Sequence, residues 1–122
     1  VHKDLRARLL GVAVPVAWNV IPQGQSLPAI RLQQISGQIE EHYEGRFEAQ
    51  MARVQMDCDA ISFAASDTIA AAALALIDEP FEQGSTIFNR IFVDSRRDMY
   101  EDRDAVIIHR VSIDLMVWHR PK

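Results

Sequence analysis

One cysteine, Cys58, is all the sequence offers, so no intrachain disulfide can form and nothing points to an oxidising compartment. Long hydrophobic runs are missing too: no stretch of about 18 apolar residues occurs, which predicts no membrane-spanning helix. Nothing resembling a secretory leader opens the sequence. Positive charge is not in excess. The 13 Lys and Arg against 17 Asp and Glu give a formal net charge of -4, which speaks against a protein that grips nucleic acid by neutralising phosphates. An acidic balance is still compatible with a protein past which DNA moves without being held. No internal repeat, low-complexity tract or linker divides the 122 residues, so one domain over residues 1–122 is the simplest expectation.

What is present is alternation, and it is longest at the end of the chain. Over residues 104–119, Ile107, His109, Val111, Ile113, Leu115 and Val117 fall on one face and Arg110, Ser112 and Asp114 on the other, the period of two of a half-buried strand. The polar face is flanked by Val106 and Ile108 at one end and Met116 and Trp118 at the other, as expected of a sheet that meets another subunit. Residues 47–59 alternate as cleanly, with Ala52, Val54, Met56 and Cys58 on one side and Arg53, Gln55 and Asp57 forming an exposed or subunit-facing row. Residues 29–40 predict a third long strand with a bulge at Ser36-Gly37, and residues 16–21 a short one. Residues 86–95 read as a strand apolar on both faces and therefore central or covered on both sides.

Two helices are predicted. Residues 3–10 form a short one, with Asp4 near its start and Gly11 just past its end. Residues 62–79 form the main one, alanine-rich, with Ile69, Ala73, Leu76 and Ile77 at helical spacing, a cap at Ser62 or Ser66 and a stop at Pro80. Residues 22–28 are loop, Gln83-Gly84-Ser85 is a turn, residues 42–46 are a hairpin tip and residues 96–104 a charged hairpin loop. The order implies an α+β fold: a mainly antiparallel sheet of four to five strands, with a short N-terminal helix and one main helix packed on the sheet.

The chemistry-bearing residues do not converge on a reaction. His2, His42, His109 and His119 lie in different elements without the spacing of a helical zinc site. His109, on an apolar face, reads as a core or interface histidine, and Cys58 as a small buried hydrophobe. The acidic cluster Asp94, Asp98, Glu101, Asp102 and Asp104 lacks the ligand pattern and turn glycine of a calcium loop. Arg96, Arg97 and Arg103 interleave with it, so a salt-bridged surface that meets a neighbouring protein is the simpler reading. Gly24 has neither the second glycine nor the lysine of a phosphate loop, and Asp57 with Asp59 lacks a partner histidine for acid–base work. No catalytic residue, cofactor or metal site is expected.

Three segments carry a resemblance. They are Pro22-Gln-Gly-Gln-Ser-Leu-Pro28 leading into Ile30-Arg-Leu32, Arg53-Val-Gln-Met-Asp57 running into an alanine-rich helix, and the closing His109-Arg-Val-Ser-Ile-Asp-Leu-Met-Val-Trp118. Together they resemble the small tail-completion proteins of long-tailed bacteriophages and gene transfer agents, also called tail terminators or head-to-tail joining proteins. The resemblance spans nearly the whole chain, with Cys58 where an aromatic is usual and unusually many charges before the last strand.

The resemblance implies a non-enzymatic virion protein at the tail–head junction, assembled in the bacterial host cytoplasm. Such proteins form a ring, commonly a hexamer, that caps the head-proximal end of the tail tube and ends its polymerisation. The ring also joins the tail to the head connector while DNA passes through the lumen. The implied partners are further copies of the chain, the tail tube protein and a head connector or adaptor, with no membrane and no cofactor. Three contact regions follow: His42, Tyr43, Arg46 and Phe47 at the hairpin tip; Arg96, Arg97, Asp98, Tyr100 and Arg103 in the charged segment; and Arg110, Asp114 and Trp118 on the last strand. Two rival readings remain: a connector adaptor or tail-tube protein, and a small α+β enzyme or ligand-binding domain with a pocket around His109 and Cys58.

Overall fold

A computed structural model describes residues 2–20, 26–39 and 50–122; the hairpin tip expected at residues 42–46 and most of the loop at residues 22–28 lie outside them. The elements run α1 (His2–Leu9), a 3-10 turn (Leu10–Val12), β1 (Val16–Trp18), β2 (Ala29–Ile39), β3 (Gln50–Ala60), α2 (Phe63–Ile77), β4 (Phe81–Gln83), β5 (Thr86–Arg103) and β6 (Val106–Pro121). The strands form one sheet in the order β1-β2-β3-β6-β5-β4.

The α+β class and the two helices agree with the sequence reading, but the sheet has six strands rather than four to five, and it is mixed. β1 runs parallel to β2, pairing Val16 with Ile30 and Trp18 with Leu32. Alternation within a segment says nothing about which way its neighbour runs, so this pairing is invisible strand by strand. β1 also ends at Trp18 instead of continuing to residue 21, because Asn19 turns at a φ of 67°. β4 is three residues long, too short for a period of two to register, and pairs Phe81, Glu82 and Gln83 with Phe88, Ile87 and Thr86. The bulge in β2 falls between Gln34 and Ser36, one residue before the expected Ser36-Gly37.

Residues 96–104 are not a loop. β5 continues to Arg103, and the chain reverses on Asp104 and Ala105 alone, at φ of 52° and 67°, the two positive values a type I′ hairpin turn requires. Dense charge suits an exposed ribbon as well as it suits a loop, which is why composition misled here. Nor is β5 covered on both faces: Phe92 and Val93 are 47% and 52% exposed. The helical layer stops short of them, since α2 packs on β3 and β6.

α2 lays Ile69, Ala70, Ala73 and Ile77 over Ala52, Val54, Met56 and Cys58 of β3 and Val111, Ile113, Leu115 and Val117 of β6. The alanines let its backbone come close to the sheet. Ser62 is the cap, accepting from the Ala65 amide at 3.2 Å. Ser66, the other candidate, does something else: its Oγ donates to the Cys58 carbonyl at 2.5 Å and accepts from the Val111 amide at 3.1 Å, tying the helix to both central strands.

α1 is docked at both ends by polar bonds. Arg8 Nε donates to the Leu76 carbonyl at 2.8 Å, satisfying one of the orphan carbonyls in the last turn of α2. Arg6 Nε donates to the Val16 carbonyl at 2.7 Å. Buried Asp4 accepts from Thr86 Oγ1 at 2.6 Å and from the Ser85 amide at 3.2 Å, clamping the β4–β5 turn.

Candidate functional site

On the sheet face turned away from the helices, side chains stand in cross-strand rows. One row runs Arg31, Asp57, Ser112, Arg97 across β2, β3, β6 and β5; the next carries Asp59, Arg110 and Met99, and the one on its other side Gln33, Gln55, Asp114 and Ser95. Asp57 is paired with Arg31 and accepts from Gln55 Nε2 at 3.0 Å. Asp59 is held by Arg110 through two bonds, Nε at 2.8 Å and Nη2 at 3.2 Å. Arg97 reaches Asp114 at 3.4 Å, and Ser95 Oγ donates to the same carboxylate at 3.0 Å. Arg53 meets Asp94 at 3.0 Å, while Glu101 draws Arg103 at 2.8 Å and Arg110 at 3.5 Å.

Of the two readings of the row Arg53, Gln55 and Asp57, exposed or subunit-facing, the structure corrects the first. Arg53 and Gln55 are half-buried, and Asp57 and Asp59 are buried although both helices pack on the opposite face. Arginine stems lying across the sheet exclude water from the carboxylates beside them. Burial alone would push the Asp57 carboxyl up, but hydrogen bonds from Ser112, Arg31 and Gln55 outweigh it and hold the group below the usual carboxylate range. The bond to Asp59 is the main reason that the Arg110 guanidinium is pushed still higher. Most arginines on this face are therefore matched, those of the Arg31–Asp57 and Arg110–Asp59 pairs against buried carboxylates. Arg31, Arg53, Arg97, Arg103 and Arg110 each meet a carboxylate.

The structure brings Arg97, Arg103, Arg110, Asp114 and Trp118 onto this one face, with Trp118 at its far end opposite Met51 and Arg90. Arg96, Asp98 and Tyr100 stand on the other side of β5, where Arg96 bridges Asp67 of α2 at 2.8 Å and Asp98 at 2.9 Å. Tyr100 is 76% exposed. His42, Tyr43, Arg46 and Phe47 lie outside the described residues.

The sheet also has unpaired edges. β4 covers β5 only as far as Phe88, so among the described residues nothing pairs with the outer edge of β5 over residues 90–103. β1 covers β2 only as far as Leu32, leaving the outer edge of residues 33–39 likewise unpaired among the described residues. A strand edge with free N–H and C=O groups is a template for another strand.

Of the two residues around which a pocket was expected, His109 is half-buried and Cys58 fully buried. Cys58 has 0% exposure in the core, and burial first, then the nearby Asp59 and Asp57, pushes its thiol up to about 12, which leaves no thiolate to attack anything. A cleft of about 240 Å³ opens at the other end of the sheet, lined by Gln50, Ser85, Thr86, His119, Arg120 and Pro121. Ser85 and Thr86 of its lining are engaged in the clamp on Asp4. Among the described residues no cluster of His, Cys, Asp and Glu has the geometry of a metal site, and no helix is long and apolar enough to cross a membrane.

His119 gives a pH test. Burial against Phe88, 6.5 Å between ring centroids, pushes its imidazole pKa down. The folded chain therefore binds fewer protons than the unfolded one as pH falls below the ordinary histidine value of about 6.5, so stability falls with it and levels off below the folded pKa. The urea midpoint is expected to drop from pH 7.5 to 5.5, and His119→Leu to flatten that part of the slope. An unchanged slope in the variant would exclude His119 as its source.

Sequence reasoning missed the two buried ion pairs and the Asp4 clamp. The pair of Asp59 with Arg110 had a usable signal, opposite charges on the outward faces of two strands that become neighbours. Asp4 had none, since nothing local links it to a hydroxyl 82 residues later.

Comparison with known proteins places this geometry in context. The family model described as "Tail completion protein gp17" matches residues 3–120. Among curated proteins none matches the chain. A chain of the solved virion of a native gene transfer agent (GTA) particle is similar in fold, with a TM-score of 0.62 at 8% identity, covering 98% of this chain and 94% of that one.

Proposed function

This chain belongs to the tail completion protein gp17 family, and on that premise we propose that it is a tail-terminator subunit that closes into a ring, hexameric in this reading, at the head-proximal end of a tail tube. The coarser statement needs no proposal: it is a structural protein of a phage-type tail. In the finer reading the ring ends tube polymerisation, joins the tail to a head connector or adaptor and lets DNA through its lumen. Residues 1–122 act as one domain with no catalytic role.

The observation that carries this reading is the pair of edges left open among the described residues on opposite sides of one sheet, residues 90–103 of β5 and 33–39 of β2. A closed ring needs a heterologous interface, one patch on a subunit meeting a different patch on the next, and two distinct unpaired edges offer that. The matched charges favour passage over capture. An arginine that already faces a carboxylate gains little by releasing counterions from a phosphate, so DNA slides past such a surface. The exposed ribbon carrying Arg96, Arg97, Asp98, Tyr100 and Arg103 is the part assigned to neighbouring proteins, with Trp118 and Met116 extending the seam along β6.

The test is a particle-joining assay. Arg96→Glu combined with Arg97→Glu is expected to leave the subunit folded by circular dichroism, while the yield of joined heads and tails falls at least about tenfold, as expected when like charges are set across an interface. Wild-type yield would overturn the assignment of the ribbon. Imaging a tagged subunit anywhere but the neck of the particle would overturn the terminator reading itself.

A further inference from the structure

The outer edge of β5, unpaired beyond Phe88 among the described residues, is self-complementary in charge over residues 96–102. Between Arg96 and Tyr100 every side chain is exposed, and Arg96-Arg97 precede Met99 at the distances at which Asp102 and Glu101 follow it. Two copies of an edge strand can add antiparallel about a twofold axis perpendicular to the sheet, making one continuous sheet of both subunits. Because side chains alternate between faces, only registers centred on a residue set each face beside its like.

Centred on Met99, Arg97 of each copy stands opposite Glu101 of the other and Arg96 opposite Asp102, while Arg103 stands opposite Ser95, so four arginine–carboxylate pairs form and no two like charges face each other between residues 95 and 103. The neighbouring registers do the reverse. A centre at Asp98 sets that carboxylate against itself, a centre at Arg97 sets the guanidinium against itself, and a centre at Tyr100 sets Arg97 against Arg103 and Asp98 against Asp102. Like charges directly opposite on adjacent strands repel. The present partners of these groups are no obstacle: Arg96 with Asp67 and Asp98, and Arg103 with Glu101, are exposed ion pairs that hold weakly, and the contacts of Arg97 with Asp114 at 3.4 Å and of Glu101 with Arg110 at 3.5 Å are long.

We infer that free subunits pair through the β5 edge into a twofold dimer with its register centred on Met99. Hydrogen bonding of residues 95–103 is then completed by a second copy instead of being left open to aggregation. The dimer occupies the edge that the ring is proposed to use, so it would hold free subunits apart from ring closure until a tail end displaces the partner. Dimerisation itself does not depend on the ring reading; only this holding role does.

A cysteine trap reads the register. Met99→Cys places two thiols on directly opposed residues, whose Cα atoms are about 4.5–5.5 Å apart in an antiparallel pair, within the reach of a disulfide. The native Cys58 is buried and does not compete. Arg97→Cys places its two thiols four residues out of register, roughly 13 Å apart, beyond that reach. Under mild oxidation the first variant is expected to run as a covalent dimer on a non-reducing gel and the second as a monomer.

Sedimentation equilibrium of the unmodified chain is expected to show a monomer–dimer equilibrium. Asp102→Lys should weaken it at least about tenfold, and adding Arg96→Asp to that variant should restore it. Equal cross-linking of both cysteine variants, no cross-linking by a Met99→Cys protein that melts like wild type, or purely monomeric sedimentation of the unmodified chain would each overturn the proposal. None of these outcomes bears on whether the protein sits at the neck of a particle, so the two readings fail separately.

Discussion

Gly84→Ala is expected to lower the unfolding free energy by about 3 kcal/mol, a large loss for the addition of one methyl group. Two terms act at once. Gly84 holds a φ of +60° at the first position of the two-residue β4–β5 turn, where a side chain costs about 1–2 kcal/mol. A Cβ built there stands 2.1 Å from Asp4 Oδ1 and 2.7 Å from its Cγ, so the carboxylate must leave. It cannot leave freely, because the same group bonds Thr86 Oγ1 and the Ser85 amide, and moving it strands those donors and loosens α1 from the sheet.

Urea unfolding with an unchanged m-value measures the loss, and a double-mutant cycle identifies it. Asp4→Ala alone should cost about 2 kcal/mol by stranding the donors. Combined with Gly84→Ala it should cost clearly less than the sum, because the clash disappears with the carboxylate. A strictly additive cycle, or a Gly84→Ala protein within about 1 kcal/mol of wild type, would dismiss the clamp as a determinant of stability. The Thr86 bond is also the main reason that the Asp4 carboxyl is held below its ordinary value. Its contribution is therefore present above about pH 4 and fades as pH falls through the lowered pKa, so wild type and Asp4→Ala should converge in acid.

What could be read from the sequence was whatever repeats along the chain. The inward residues Val54, Met56, Cys58, Val111, Ile113 and Leu115 were legible because burial on one face imposes a period of two, and all of them are buried. α2 was legible because its alanines and its Ser62 cap act over one or two turns. What escaped depends on partners far away in sequence. The parallel pairing of β1 with β2, the three residues of β4 and the bond from Asp4 to Thr86 leave no local pattern. The ribbon of residues 96–103 was misjudged for another reason: a strand with solvent at its edge and over much of its surface need not be apolar, and there composition stops distinguishing strand from loop. The outward faces hid a related surprise. Asp57 and Asp59 read as water-facing by type, yet arginines on adjacent strands bury them.

Arg110→Leu tests whether those buried pairs stabilise the chain or mainly fix its register, and it is expected to cost about 3 kcal/mol. Arg110 and Asp59 are 18% and 5% exposed, and their double bond is the best-formed ion pair on the sheet. Removing the guanidinium leaves a carboxylate with little access to water and no equivalent donor, and that stranded charge accounts for most of the loss. Replacing both residues, Arg110→Leu with Asp59→Leu, should therefore return stability to within about 1 kcal/mol of wild type, since two apolar side chains strand nothing. If the double variant is as unstable as the single, the loss belongs to the arginine stem as packing material. If the double variant recovers, the pair earns its place in another way. Asp59 stands directly opposite Arg110 across β3 and β6, and a slip of one residue would set the carboxylate against Val111 or His109 and turn every inward side chain of β6 outward. If its edges meet other chains as proposed, the sheet needs its own register fixed beforehand, because any slip inside the subunit is carried to the seam. The apolar double variant is accordingly expected to unfold like wild type yet join heads to tails poorly, a separation of stability from assembly that melting curves and the particle assay read independently.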